Sequence, residues 1–596
     1  MLLVPTERQR LFGLTIAIGG ACGVAAVWFH LSIQYLETRT IERALSADDY
    51  GWIYWTLIVP TLGGLLSGLL LYYVVPNARG SGIPQVKVAY AAKGGRLRVR
   101  DSVGKFVIGT LQIGTGSSLG REGPTVQICA GVASGLARLA GISQRNARRL
   151  IPVGAAAGIA AAFNAPIAAV TFTIEEVVGT LDQTLLSGVI VAAALAAVVE
   201  RSVLGRHPVF SLQHTADQFG VDSAQSLLLY AALGIAAAFV SIAFTEGLLG
   251  LRKYFRDVAR LPKWAQPAAG ALLTGGLAVA ALGWLHSRGV TGGGYDTARA
   301  ALDGEVAVKV ALALCGMKLV ATVCSYASGG AGGIFAPSLF IGGMLGVGFG
   351  SADVWMFGDS HAAVGSFALV GMGAVFAGII RAPITSVLII IEMTNGYSLI
   401  LPLMIANMTA YGLARRLRPT PIYEALLEQD GIKLAQHAAA PDGLDAMSLE
   451  EFAGVNHDFV SFFPSLTGAK LVKDSEAADR QEVFPVLDAD ERLVGIITLE
   501  DLALLAAEPD LQNGLVTAVD VMRPPIAIVE TETVRAAFDL LVSHDLRELP
   551  VIDDEQRVVG MIDEVALAHA YMRARQPRTG GAPRSSDSQI LPDDIQ

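Results

Sequence analysis

Three short segments that combine glycine with proline carry the residues best suited to chemistry. They are Gly80-Ser-Gly-Ile-Pro84, Gly120-Arg-Glu-Gly-Pro124 and Gly332-Gly-Ile-Phe-Ala-Pro337. Glycine permits unusual φ angles and proline suits the first turn of a helix, so each segment predicts a chain break that leads into a helix. The first turn of such a helix offers free backbone N–H groups and the positive end of a dipole. The segments therefore predict a site for an anion.

Acidic residues at two places could add proton chemistry. Glu122 lies inside the second segment, and Glu175 and Glu176 follow an apolar run that begins at Pro166. A carboxylate in an apolar segment costs free energy and is functional by default. Beside an anion site, Glu122 can compete with the anion, and protonation would both release the site and carry a proton. Structural pairing of Glu122 with Arg121 is the alternative.

The elements that must position these residues are membrane spans. The chain has 596 residues, of which 52% are hydrophobic and 16% charged, with a mean hydropathy of +0.50. That composition excludes an ordinary soluble protein. Several apolar blocks exceed the ~20 residues needed to cross a bilayer, and the blocks are 11–36, 50–78, 150–174, 223–245, 264–287, 319–352 and 393–414. We expect an all-α polytopic domain over residues 11–430, after a cytosolic N-terminus at 1–10.

The membrane part repeats itself. Residues 163–175 resemble residues 380–392, with Pro166 and Pro383 each nine positions before a glutamate. Two halves follow, at 11–204 and 223–428. Unpaired backbone groups are costly in lipid, so the breaks must line a protein cavity. Duplicated, broken helices predict a transport site near the membrane midplane.

Charge patterns indicate the orientation of the chain and exclude some partners. Arg8 and Arg10 flank the first span and three arginines follow the last, so the positive-inside rule predicts that both chain ends lie in the cytoplasm. We expect the protein in a cell (inner or plasma) membrane. The net charge of −10 is not confined to one patch, and no nucleic-acid partner is predicted. All four cysteines lie in apolar stretches, which argues against disulfides and against a cysteine metal site.

The three segments in this order, with residues 154–166 between the second and third, resemble the signature of the CLC family of chloride channels and transporters. The resemblance implies an inverted repeat of tilted, broken helices and a homodimer with one pathway in each subunit. It also implies that the Ser81 hydroxyl, the backbone N–H groups of Ile334 and Phe335, and the Tyr423 phenol bind chloride. A helix-capping role for Ser81 and an interfacial position for Tyr423 are the alternatives.

The same resemblance bears on proton coupling. It makes Glu122 the gate and external proton residue, and Glu176 the internal proton acceptor that marks exchangers of chloride and protons. A solvated helix-end charge is the alternative for Glu176. In this family a proline at the position of Ser81 is associated with a preference for nitrate, so Ser81 implies a preference for chloride. Gln85 is a departure, because many members of the family have glutamate at that position.

Two other functions are the alternatives to exchange. A passive chloride channel, voltage- or pH-gated, would share the fold. A membrane enzyme has little support, because Gly116-Ser-Ser-Leu-Gly120 fits a nucleophile elbow but lacks the strand that precedes one. Chloride transport of this kind requires no cofactor.

The C-terminal region contains a second repeat, at an offset of 65 residues. Residues 483–498 match 548–563, and each unit predicts strand, turn, strand and helix. The repeat resembles an α/β pair of CBS domains, at 436–506 and 515–575, followed by a disordered tail at 576–596. The resemblance implies an adenine nucleotide held by Thr498 and Asp501, since the second unit has Asp563 and Ala566 at those places. A purely structural or dimer-forming module is the alternative.

Overall fold

The structure is a computed structural model that describes most of the chain as two compact units, residues 1–435 and 436–596. The described residues are 7–47, 50–179, 183–205, 210, 225–358, 362–394, 396–432, 448–449, 452, 455–476, 478, 481–507, 516–544, 546–567 and 569. The predicted tail at 576–596 lies outside them, as do the first residues of both predicted CBS domains.

All the regular secondary structure in the described part of the first unit is helical. Its helices are α1 Glu7–Arg39, α2 Ile41–Leu45, α3 Gly51–Tyr73, α4 Ile83–Ala91, α5 Val99–Gly114, α6 Glu122–Leu139, α7 Gln144–Phe163, α8 Pro166–Phe172, α9 Gln183–Leu204, α10 Ser226–Asp257, α11 Gln266–Leu285, α12 Tyr295–Leu302, α13 Val308–Ala327, α14 Phe335–Phe357, α15 Ala362–Ile380, α16 Pro383–Thr394, α17 Ile400–Leu417 and α18 Ile422–Gln429. A π-helical turn, Thr173–Val178, continues α8. Within the described residues, eight helices are long and apolar enough to cross a membrane, which confirms the predicted all-α membrane domain.

Some apolar blocks are not single spans. The block at 150–174 breaks after Phe163, where Asn164 takes a φ of 54° and Pro166 starts α8. The block at 319–352 breaks between the end of α13 and the start of α14, and the block at 393–414 joins the end of α16 to α17. Hydropathy is continuous across such breaks, whereas glycine, proline and asparagine set the backbone conformation.

The two halves of this unit cap each other's helices. Glu392, at the end of α16, accepts backbone N–H bonds from Ile167 at 3.0 Å and Ala168 at 2.7 Å, in the first turn of α8. Glu175, at the end of the α8 segment, accepts them from Ile384 at 3.1 Å and Thr385 at 2.9 Å, in the first turn of α16. A carboxylate at a helix N-terminus satisfies free donors and opposes the dipole. The sequence repeat is therefore also a repeat of contacts.

The second unit is α/β. Strand β1, Val483–Leu487, pairs antiparallel with β2, Leu493–Thr498; β3, Ile528–Val529, runs parallel to β4, Glu548–Ile552, which pairs antiparallel with β5, Val558–Asp563. Its helices are α19 Gly468–Ser475, α20 Leu499–Ala507, α21 Ala518–Val521 and α22 Val534–His544. The register of both hairpins shifts at equivalent places, after Val486 and after Val551. The predicted strand repeat is thereby confirmed.

Candidate functional site

The three glycine/proline segments meet at one place in the membrane unit. Gly120 and Gly333 exchange two backbone hydrogen bonds of 2.7 Å. A Cβ atom at Gly123 would lie 2.6 Å from the Ser81 carbonyl oxygen, and one at Gly333 would lie 3.0 Å from the backbone nitrogen of Gly123. Such close backbone approach requires glycine. The N-termini of α4, α6 and α14 therefore converge, as an anion site built from helix ends requires.

Two buried hydroxyl groups lie in this region without a partner. Ser81 and Tyr423 are both 0% exposed. Among the described residues, neither Ser81 Oγ nor Tyr423 Oη has a hydrogen-bond partner. Ser81 is tied to the site by its backbone, whose N–H donates to Tyr326 Oη at 3.3 Å. Because a buried unpaired hydroxyl costs free energy, both groups are prepared to donate to a ligand.

The alternatives for these two residues do not fit the structure. Gly82, not Ser81, occupies the position before α4, and no side chain caps that helix. Tyr423 is fully buried rather than interfacial, and its phenol interacts electrostatically with Glu176, Tyr326 and Glu122. Ile334 and Phe335 lie at the start of α14 and are both fully buried. All four predicted anion-binding residues are thus buried at or next to helix N-termini, and Ser81, Ile334 and Phe335 belong to the segments that meet.

Glu122 is the first residue of α6 and is fully buried. Its Oε1 accepts a hydrogen bond from Tyr295 Oη at 2.5 Å, whereas its Oε2 has no partner among the described residues. Arg121 does not pair with it; the guanidinium donates to the Ala162 carbonyl at 3.4 Å and lies over the Tyr295 ring. Tyr295 was not predicted. It follows Gly292-Gly-Gly294, and that loop was the available signal.

Glu176 is held in an ion-paired cluster and not in solvent. Lys87 Nζ contacts Glu176 Oε1 at 2.7 Å and also contacts Glu424 Oε1. The side chain of Glu176 is 6% exposed, so it is not the solvated helix-end charge that was the alternative. Neither Lys87 nor Glu424 was predicted as a site residue. Lys87 follows Pro84 by three residues and Glu424 follows Tyr423 directly, which were the only local signals.

Two cavities are lined by residues of the glycine/proline segments and share no lining residue. A cavity of about 430 Å³ reaches Gly80 and Tyr326, and its charged lining is mostly basic: Arg79, Lys93, Arg252, Arg256 and Lys263, with Asp101 and Asp430. A cavity of about 300 Å³ reaches Gly120 and Tyr295, and its titratable lining includes Glu37, Glu42, Asp296, His30, Arg121 and Arg288. Gly80, which lines the basic cavity, directly precedes Ser81 in the chain, and Arg121, which lines the other cavity, directly precedes Glu122.

In the second unit, Thr498 and Asp501 contact each other where β2 leads into α20. Asp501 Oδ2 accepts bonds from the Thr498 backbone N–H at 3.0 Å and hydroxyl at 2.7 Å, and its Oδ1 accepts a bond from Arg523 at 2.7 Å. Partial burial raises the pKa of Asp501, but the hydrogen bonds from Arg523 and Thr498 outweigh it and hold that pKa below its usual value. In the second CBS repeat, Asp563 accepts a hydrogen bond from the Ala566 backbone N–H.

Comparisons with known proteins bear on the family and the fold of the chain. The family model described as "Voltage gated chloride channel" matches residues 63–415, and that of the CBS domain matches 455–508 and 518–573. The H(+)/Cl(-) exchange transporter ClcA of Salmonella paratyphi B is 32% identical over 455 residues, which are 74% of this chain and 94% of the relative. ClcA of Salmonella newport is equally similar.

Solved structures show the same fold. A slow cyanobacterial Cl⁻/H⁺ antiporter matches with a TM-score of 0.64 and 28% identity, over 72% of this chain and 99% of the antiporter. A eukaryotic CLC transporter matches with a TM-score of 0.60 and 21% identity, over 93% of this chain and 97% of that protein.

Proposed function

The chain belongs to the family of voltage gated chloride channels, and from that membership we propose that it exchanges chloride for protons across a membrane. The proposal is carried by the buried, unpartnered hydroxyl group of Ser81, whose segment lies where three helix N-termini meet. The unpartnered oxygen of Glu122, at the start of one of these helices, and the unpartnered phenol of Tyr423 support it. It is supported by relatives named as exchange transporters and by an antiporter of the same fold. We propose no enzymatic activity.

The chemistry of the site suits a small anion that must also leave. Hydroxyl groups of Ser81 and Tyr423 and the N–H groups of Ile334 and Phe335 are neutral donors, which bind chloride without trapping it. The larger cavity supplies the attraction, because its five cations outnumber its two carboxylates. Chloride would thus gather beside Gly80 and bind at Ser81.

Proton coupling would come from two carboxylates. Glu122 is buried at the start of α6, where an anionic side chain and a chloride ion compete for the same helix dipole. When Glu122 takes a proton it no longer competes, so chloride passes and the proton travels with the side chain. Glu176, which is ion-paired with Lys87, would supply that proton from the cytosol.

We further propose a homodimer in a cell (inner or plasma) membrane with both chain ends in the cytoplasm. The arginines that flank the first and last spans support this orientation. Each subunit would carry its own pathway, since all the predicted anion and proton residues of the membrane unit belong to one chain.

Purified protein in liposomes tests the exchange. An imposed chloride gradient, with efflux and internal pH recorded together, should drive protons uphill against their own gradient. Only a coupled exchanger can do so, because a passive channel dissipates the chloride gradient without moving protons. Chloride movement with no proton movement would favour the channel, and no anion flux at all would contradict the whole proposal.

For the CBS pair we propose one adenine nucleotide site, at Thr498 and Asp501. Asp501 would exchange its bond with Arg523 for the ribose hydroxyls. We expect Asp501→Asn to weaken ATP binding to the full-length protein by tenfold to a hundredfold, since a charged hydrogen bond contributes about 1.5–3 kcal/mol. Calorimetric titration in detergent measures this, with the exposed Asp554→Asn as the control. Equal affinities of the two variants, or no binding by the wild type, would instead favour a structural module.

A further inference from the structure

Lys87 holds two carboxylates from different parts of the chain. Its ammonium group on α4 contacts Glu176 on the π-helical turn at 2.7 Å and also contacts Glu424 on α18. The three side chains are 11%, 6% and 13% exposed, respectively. The contacts span 89 and 337 residues of sequence, so the fold, and not local geometry, brings the cluster together.

The charges of this cluster do not balance. One ammonium group neutralises one carboxylate, which leaves a second, nearly buried carboxylate uncompensated. Glu175 adds to the repulsion on Glu176, while its own oxygens accept bonds from the first turn of α16. Binding one proton removes the excess charge. Two carboxylates that share a cation titrate as a pair, so the proton belongs to both.

Glu424 has an oxygen available for that proton. Its Oε1 contacts Lys87, while its Oε2 is buried and has no hydrogen-bond partner among the described residues. Glu424 also follows Tyr423, whose phenol is one of the predicted anion ligands. The second carboxylate therefore lies on the helix that carries the anion ligand, whereas Glu176 does not.

We propose that the internal proton acceptor is the pair Glu176–Glu424 bridged by Lys87, with Glu424 as an acceptor in its own right. This rests on the proposed exchange of chloride for protons. The proton binds one of two carboxylates on either side of one ammonium group and is passed on from the member next to Tyr423. Lys87 is a positioning residue that keeps the two carboxylates in contact and allows one of them to remain charged.

Coupled flux measurements in liposomes test the pair. Glu424→Gln should reduce proton movement by about tenfold or more, because the variant loses a positioned proton acceptor. Chloride movement should persist, which also shows that the variant folds. The double variant Glu176→Gln/Glu424→Gln should lose proton movement altogether. Glu428→Gln, one turn further along α18 and exposed, is the matched control and should couple as the wild type does.

A second variant separates proton binding from a structural role. Lys87→Gln removes the counter-charge of both carboxylates, so the pair should bind its proton more tightly and the pH profile of proton movement should shift to higher pH. If Glu424→Gln couples like Glu428→Gln and Lys87→Gln leaves the pH profile in place, the pair is overturned. A wild-type protein that moves chloride without protons would instead contradict the proposed exchange itself.

Discussion

Replacing Glu122 with glutamine should abolish proton movement while chloride continues to cross the membrane. Glutamine has the size of a protonated glutamate but neither competes with an anion nor carries a proton. The chloride rate should therefore lose its dependence on pH, and proton movement should fall by about a hundredfold or more, to the level of the lipid leak. Chloride efflux and internal pH recorded together in liposomes measure both effects.

Glu42→Gln is the control for that change. Glu42 is an exposed carboxylate that lines the same 300 Å³ cavity, so its loss changes the charge of the cavity without touching the gate. Tyr295→Phe gives a graded version, because it removes the hydrogen bond to the Glu122 carboxylate and leaves the carboxylate itself. Without that hydrogen bond the charged form of Glu122 is less stable, so Glu122 should bind its proton at higher pH. Half-maximal chloride movement should therefore shift to higher pH, with coupling retained. Proton movement that survives in Glu122→Gln would refute the gating role.

The largest effect on stability should come from the carboxylates that the two halves exchange. Glu392→Ala leaves two backbone N–H groups of α8 without their acceptor, and Glu175→Ala does the same in α16. Glu175→Ala also removes the 2.6 Å bond from the Thr385 hydroxyl, which keeps only its 3.3 Å bond to Thr171. Each change should lower the free energy of unfolding by about 2 kcal/mol, because hydrogen bonds to charged groups are among the stronger ones. Thermal unfolding of the detergent-solubilised protein measures this.

Glu246→Ala provides the comparison for both variants. Glu246 is 61% exposed and its ion pair with Arg418, at 3.0 Å, lies on the surface, where such pairs contribute little. Its midpoint of unfolding should stay close to that of the wild type. Midpoints of Glu175→Ala and Glu392→Ala equal to it would mean that the reciprocal caps do not stabilise the unit.

Local sequence patterns predicted the parts of this protein that local chemistry determines. Proline and glycine marked the helix starts at Ile83, Glu122 and Phe335. Proline fixes its own φ angle and glycine permits positive φ angles, so both act locally on the backbone. The strand repeat was readable for the same reason, since at both places two short apolar runs separated by a turn favour a hairpin. Hydropathy alone did not reveal the break at Asn164, because an apolar run looks the same whether it is one helix or two.

Contacts between distant residues were beyond such reasoning. The hydrogen bond from Tyr295 to Glu122 joins residues 173 positions apart, and nothing in the sequence near either residue predicts the contact. The ion pairs of Lys87 likewise depend on how α4, the π-helical turn and α18 pack. Burial then separated readings that the sequence left open, since Ser81, Glu122 and Tyr423 are all fully enclosed. The roles of these residues in binding and proton transfer remain predictions.

The exchanged caps also constrain how the polypeptide is made. The first turn of α8 depends on Glu392, which lies 225 residues beyond Ile167 and leaves the ribosome long after it. Until then the N–H groups of Ile167 and Ala168 lack the acceptor that they have in the complete chain. A chain cut between the halves would therefore yield two fragments that are each incomplete and that mature together or are degraded. Synthesis of the first half alone should give a product that needs its later partner to persist.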